Sequence, residues 1–289
     1  MELIPAAVFL AALVLVPESP RFLVAVGQEE QARSVLKRLG TADDVDAKIA
    51  DIRSTLEEER QPRLADVIRE HTGNIHPLVW VGVGLASLQQ FTGINVVFYY
   101  GGTLWQAAGF TEASALLTNV VNGSVNVLFT FVAIALIDRV GRKPLLLVGS
   151  LGQALTLGIM AVIFGTAAQG GAGNLDMQSN QGLIALLAAN GYIAFFAFSW
   201  GPVMWVMLGE MFPNKFRGAA LSICGVVQWL SNFLITVTFP VLLDSIGLGF
   251  SYGIYAAFGV VAFFFVQLFI KETKGRTLED MSREAEEAP

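Results

Sequence analysis

The chain has 289 residues, 54% of them hydrophobic and only 15% charged, with a formal net charge of −6. Soluble domains carry about 25% charged residues, so the composition points away from an ordinary soluble protein. The net charge says nothing about nucleic acid, and no basic, aromatic-interleaved surface stretch argues for such a partner. The single cysteine, Cys224, excludes an internal disulfide.

Taken in chain order, Leu3–Val16 is apolar but makes a helix of only about 21 Å, short of the roughly 30 Å hydrocarbon core. Its acidic start at Glu2 and the lack of a small-residue cleavage pattern before Pro17 argue against a signal peptide. Residues 1–16 are therefore expected to be part of a transmembrane helix. From Pro17 the character reverses, and a charged stretch is expected to form a cytoplasmic helical linker over 17–76. Val35, Leu36 and Leu39 recur at helical spacing, as do Val45, Ile49, Ile52 and Leu56. Gly40 is placed to close the first of these helices, and Thr41 or Asp43 to cap the next.

Six runs without Asp, Glu, Lys or Arg follow: His76–Phe110, Ala113–Ile137, Pro144–Leu175, Met177–Gly209, Gly218–Leu243 and Ser245–Ile270. Each exceeds the roughly 20 residues that cross a bilayer. They predict a six-helix transmembrane bundle over 77–271 and a tail over 272–289, with lipid as an obligatory partner. If the linker is cytoplasmic and the spans alternate, all 18 Lys and Arg fall on the cytoplasmic side, the positive-inside pattern. That arrangement puts the protein in the cell membrane with its C-terminus cytoplasmic.

Two of the turns on that side share a design. D-R-V-G-R-K at Asp138 and G-E-M-F-P-N-K-F-R-G at Gly209 each place a carboxylate at one helix end and an arginine at the start of the next. Asp138, Arg142, Glu210 and Arg217 are thus candidates for a latch that holds helix ends together on one face.

Polar residues inside the spans fall in stripes. Asn119, Asn122 and Asn126 share one helix face, Gln228 and Asn232 another, and Asn95 and Tyr99 a third. In Q-Q-F-T-G-I-N, from Gln89, Gln90 and Asn95 would lie about 140° apart on a regular helix. They converge only if the helix breaks, and Thr92-Gly93 supplies the break. Interrupted helices at mid-membrane recur in transporter sites. Amides offer paired donors and an acceptor, which suits neighbouring hydroxyls, and Phe196, Trp205 and Trp229 offer flat faces for a ring. With no charge in the spans, the expected ligand is neutral and polyhydroxylated. Gln153, Asn190 and Gln267 are read as helix-packing contacts, and Pro202 and Pro240 as positions where helices kink or end.

These motifs carry a family. P-E-S-P-R-F-L at Pro17, Q-Q-F-T-G-I-N at Gln89, D-R-V-G-R-K at Asp138, G-P-V-M-W at Gly201, E-M-F-P-N-K-F-R-G at Glu210 and E-T-K-G-R-T-L-E at Glu272 together resemble the sugar porter branch of the major facilitator superfamily. That branch includes bacterial xylose and glucose symporters. Lys271 stands where the family has proline, and Ile134 where its fuller loop motif has glycine.

The resemblance implies an all-α membrane protein, the C-terminal six-helix bundle of a major facilitator fold, preceded by the linker and a truncated sixth helix. It implies that Gln89, Gln90, Asn95 and Asn126 bind sugar and that Trp205 stacks on it. Tyr99, Phe196, Gln228 and Trp229 match pocket positions, and Asp138, Arg142, Glu210 and Arg217 match the network that stabilises the outward-open state. The expected function is alternating-access transport of a hexose or pentose, with proton coupling open and a separately made N-terminal half as a candidate partner. Alternatives are a polyol or inositol carrier, a non-transporting sugar sensor, and an inactive truncated fragment. No enzyme activity, cofactor or metal is expected, because the spans hold no acidic residue and both histidines, His71 and His76, lie at or before the first full span.

Overall fold

The computed structural model describes residues 6–7, 9–11, 13, 16–38, 45–58, 67–68, 73–107, 111–169, 175–176, 179–213 and 215–275. They divide into two compact units, Met1–Pro62 and Arg63–Pro289.

The first unit holds α1 (Pro20–Ala25), α2 (Glu29–Arg38) and α3 (Val45–Glu58). The Ser19 hydroxyl accepts from Phe22 N–H at 3.2 Å and caps α1, while Pro20 takes a first-turn position where its missing N–H costs nothing. Leu23, Val24, Ala32, Leu36 and Ile49 form the core, with Val35, Val45 and Ile52 against it. This is the apolar stripe expected from spacing. Leu39, Gly40, Thr41 and Asp43 lie outside the described residues, as does the side chain of Leu56. Arg33 donates to Asp46 and Arg53 to Glu29, exposed pairs worth at most about 1 kcal/mol each. Before α1, residues 6–7, 9–11 and 13 are helical, and Phe9, Leu10 and Leu13 are exposed.

The second unit begins with Val67 and Ile68. Ile68 pairs with Ile75 in an isolated antiparallel bridge, and Val67 joins the larger core of this unit. Helices α4 (Pro77–Phe91), α5 (Ile94–Tyr99), α6 (Gly101–Ala107), α7 (Glu112–Val140) and α8 (Arg142–Thr166) follow. A two-residue antiparallel pair, β1 (Ala168–Gln169) and β2 (Leu175–Asp176), precedes α9 (Ser179–Ala197), α10 (Pro202–Met211) and α11 (Arg217–Phe269). The rest of the tail, from residue 276, lies outside the described residues.

Among the described residues, five stretches are long and apolar enough to cross a membrane: Pro77–Tyr99, Leu116–Val140, Arg142–Thr166, Asn180–Met211 and Arg217–Phe269. The last takes in the fifth uncharged run and nearly all of the sixth. At 53 residues a straight α11 would run about 80 Å, far beyond a bilayer, and Gly247 breaks it with φ 79° and ψ 172°. The break falls three residues after Asp244, the charge that separates the two runs.

Small residues let these helices approach closely. A Cβ added at Gly249 would sit 2.5 Å from Gly165 N, and one at Gly259 would sit 3.0 Å from Ala154 N, so α8 and the second part of α11 meet backbone to backbone. The bundle has two cores. One is centred on Leu85, Leu146, Trp200, Met204 and Phe212. The other is centred on Leu157, Met160, Tyr192, Tyr252 and Tyr255. At one end, His76 Nδ1 accepts from Leu78 N–H at 3.3 Å to cap α4, and its ring lies 5.0 Å from that of Phe216.

Candidate functional site

Gln89 lies twelve residues into α4, and Gln228 eleven residues into α11. Both helices start at the end where His76 meets Phe216, so the two amides stand at a common depth of about 17–18 Å. Beyond Gln90 the chain turns through Gly93, at φ 82°, between α4 and α5. A Cβ there would lie 2.8 Å from the Tyr255 ring, so both the backbone and the space require glycine.

The break lets four amides form one chain. Asn95 Nδ2 donates to Gln90 Oε1 at 2.7 Å, and Gln90 Nε2 donates to Gln89 Oε1 at 3.3 Å. Gln228 Nε2 donates to the same Gln89 oxygen at 3.2 Å. Gln89 Nε2 in turn donates to the carbonyls of Trp200 at 2.9 Å and Gly201 at 3.5 Å. Those carbonyls lie in a second helix break, between α9 and α10. Tyr192, within α9, ties that helix to the first break, its hydroxyl donating to Thr92 O at 2.8 Å. Gln89, Gln90 and Gln228 are all buried. Gln228 Oε1 is buried with no hydrogen-bond partner.

The remaining candidates lie off this chain of bonds. Trp205, Tyr99 and Trp229 are exposed at 41%, 60% and 65%. Phe196 is half-buried and packs on both cores. Asn126 is half-buried on α7, its backbone carbonyl accepting from the Thr130 hydroxyl. On the same stripe, Asn122 is fully buried and neither side-chain polar atom has a partner. Gln153, expected to bridge helices, likewise has both polar atoms buried and unpartnered. Asn190 donates within α9, to Leu186 O.

The charged turns meet at the end of the bundle where α7 passes into α8. Arg142 Nη2 reaches Glu210 Oε1 at 2.7 Å and Asp138 Oδ1 at 3.1 Å, so one guanidinium joins the two turns. Arg217 donates from Nε to Phe212 O at 3.0 Å. Spacing alone missed Glu272. Its carboxylate accepts from Arg142 N and Lys143 N at 3.0 Å each, from Thr273 N at 3.0 Å and from Lys274 N at 2.9 Å. The preceding Gly141 provides no side-chain cap for α8, and a Cβ on it would strike Glu272 Oε2 at 2.7 Å. Thr273 Oγ1 completes the cluster by donating to Glu210 Oε2 at 2.6 Å. The sequence signal was an orphaned helix start of Arg-Lys behind a glycine, which needs an acid from elsewhere.

Burial alone would raise the Glu272 pKa, but the four backbone N–H donors outweigh it and hold the carboxyl below its ordinary range. A depressed folded pKa contributes stability that is present at neutral pH and lost as pH falls through that folded value. Glu272→Gln is expected to lower stability by about 1 kcal/mol at pH 7. Thermal unfolding against pH checks this: the gap between wild type and variant closes in strong acid. A gap that stays constant across pH would show that the charge is idle.

An apolar multi-helix bundle with an uncharged amide cluster on broken helices at mid-depth defines a multi-pass membrane protein of the carrier class. The chain belongs to the family described as sugar (and other) transporters, whose model matches residues 1–285. It is 50% identical over 280 residues to a glucose transport protein of Synechocystis sp., covering 97% of this chain and 59% of that protein. It is 38% identical over 286 residues to the D-xylose-proton symporter of Escherichia coli K12, covering 97% and 55%. Among solved structures it resembles the proton:xylose symporter XylE bound to 6-bromo-6-deoxy-D-glucose, at 36% identity and a TM-score of 0.74, covering 98% of this chain and 57% of that one. The inward-open form of XylE from E. coli matches at 37% identity and a TM-score of 0.70, covering 97% and 55%. These place the chain among sugar porters of the major facilitator superfamily. The chain spans little more than half the length of these relatives.

Proposed function

We propose that this chain supplies the six-helix half of a monosaccharide carrier that holds the sugar through Gln89, Gln90, Asn95 and Gln228. The observation that carries this is the preorganised amide chain, which ends in a buried, unpartnered acceptor at Gln228 Oε1. A hydroxyl is the natural partner for such a group, and the absence of charge in the six runs favours a neutral ligand. Trp205, Trp229, Tyr99 and Phe196 supply faces for the ring, and Asn126 a further contact from α7. Relatives named for glucose and D-xylose transport support a hexose or pentose.

In this account Arg142, Asp138, Glu210 and Arg217 form a latch at the cytoplasmic end, broken and remade as that face opens and closes. The positive-inside pattern supports a cytoplasmic linker over 17–76, a bundle over 77–271 and a cytoplasmic tail. Any carboxylate that carries a coupled proton lies outside the six uncharged runs. A second six-helix body, on a separate polypeptide or further chain, provides the facing wall that alternating access requires.

Counterflow of D-glucose and D-xylose into liposomes that contain this chain tests the reading, with myo-inositol as competitor and Gln90→Ala as control. Saturable uptake that vanishes in the control is the expected result. Binding without uptake would leave the site here and assign the transport step to a partner body. Uptake that ignores the substitution would remove the site.

A further inference from the structure

We propose that Trp200 is a positioning residue that fixes the donor–acceptor sense of the whole amide chain, so that the site meets its sugar with an acceptor at Gln228. This rests on the carrier reading above.

Trp200 lies in the break between α9 and α10, where Ser199 N and Gly201 N both donate to Phe196 O, at 3.1 and 3.0 Å. Its side chain is fully buried and anchored on a different helix. The indole Nε1 donates to Ser150 Oγ at 2.9 Å and to Leu146 O at 3.1 Å, both on α8. Ser150 Oγ donates to Leu146 O at 2.7 Å, which turns its lone pairs toward the indole. The backbone of the same residue then presents its carbonyl to Gln89 at 2.9 Å.

A carbonyl only accepts, so Gln89 must offer its NH2 to Trp200 and turn its oxygen the other way. The choice propagates. Gln90 and Gln228 both approach that oxygen and must both donate to it. Donation through Nε2 leaves Gln90 Oε1 to accept from Asn95, and leaves Gln228 Oε1 as the buried acceptor without a partner. Reversing any one amide would set two donors or two acceptors against each other along the chain. The orientation of Gln228 is therefore decided at Trp200, two hydrogen bonds away, and it selects a sugar hydroxyl that donates.

The sense of a hydrogen bond is readable with modified sugars. Fluorine accepts weakly and never donates, so at a hydroxyl that donates to Gln228 a deoxyfluoro sugar should bind as poorly as the deoxy sugar. The experiment measures dissociation constants of the purified chain in nanodiscs for D-glucose, D-xylose and the deoxy and deoxyfluoro glucose series. In wild type, at least one position is expected to lose about tenfold or more with either replacement. Trp200→Phe keeps the ring and removes the indole donor. It is expected to weaken D-glucose about tenfold and to shrink the penalty at that position. Ser150→Ala removes one of the two indole acceptors and should give the same changes at a few-fold scale, which covers the case in which Trp200→Phe does not fold.

Deoxyfluoro sugars that bind better than deoxy sugars at every sensitive position would mean the site presents donors, and would overturn the inferred sense. Unchanged affinities and penalties in both variants would overturn the role of Trp200. Failure of unmodified D-glucose and D-xylose to bind wild type would instead strike the carrier reading itself, before any analogue is compared.

Discussion

Replacing Gln89 with leucine is expected to weaken monosaccharide binding by about a hundredfold or more while the bundle still folds. Gln89 is the hub of the amide chain. It accepts from Gln90 and Gln228 and donates to the Trp200 carbonyl. Leucine of similar size removes these bonds, with the longer one to the Gly201 carbonyl, and frees Gln90 and Gln228 to turn. Each buried group left without a partner costs about 1–3 kcal/mol, and each 1.4 kcal/mol is about tenfold in affinity. A sugar that must re-order two loosened amides bears much of that cost. Folding suffers less, because interhelical bonds in membranes average only about 0.6 kcal/mol. Titration with D-glucose and D-xylose, beside a thermal melt, checks both halves. Retained affinity would show that Gln89 is a packing residue.

The second large effect is expected at Gly93. Gly93→Ala places a side chain at φ 82°, which costs an ordinary residue about 1–2 kcal/mol, and drives its Cβ to 2.8 Å from Tyr255 Cδ2. Relief by straightening the helix would carry Asn95 away from Gln90 and break the 2.7 Å bond between them. Relief by moving Tyr255 would disturb its packing with Phe239 and Tyr252. Either route should lower the melting temperature by several degrees and weaken sugar binding by about tenfold or more. A variant with wild-type affinity would mean that the break does not shape the site.

Much of this was legible in the residues. The uncharged runs coincide with the long apolar helices because lipid tolerates few unpaired charges, a constraint that acts residue by residue along the chain. The break at Gly93 was legible because five residues of regular helix cannot bring Gln90 and Asn95 together. Opposite charges at helix ends pointed to Arg142 and Glu210, and the pair is formed.

What stayed hidden depends on backbone and on distance. The acceptor for Gln89 is a main-chain carbonyl in a helix break 111 residues away, and main-chain carbonyls carry no residue identity to read. Arg217, placed at a helix start by its spacing, sets its Nε on another main-chain acceptor, the carbonyl of Phe212. Glu272 was visible as a motif residue, but its place on the start of α8 follows from how the end of α11 packs. The aromatics Trp205 and Trp229 were selected by chemistry, and their exposure is a property of the packed bundle.

The central claim is that this chain holds a neutral monosaccharide at the Gln89–Gln90–Asn95–Gln228 cluster. Saturation-transfer NMR with D-glucose and D-xylose on the purified chain in nanodiscs tests it most directly, since it detects weak binding. The account predicts transfer to the ring protons of at least one sugar in wild type and its loss in Gln89→Leu. Equal transfer in both proteins, or none to either sugar from folded wild type, would contradict it.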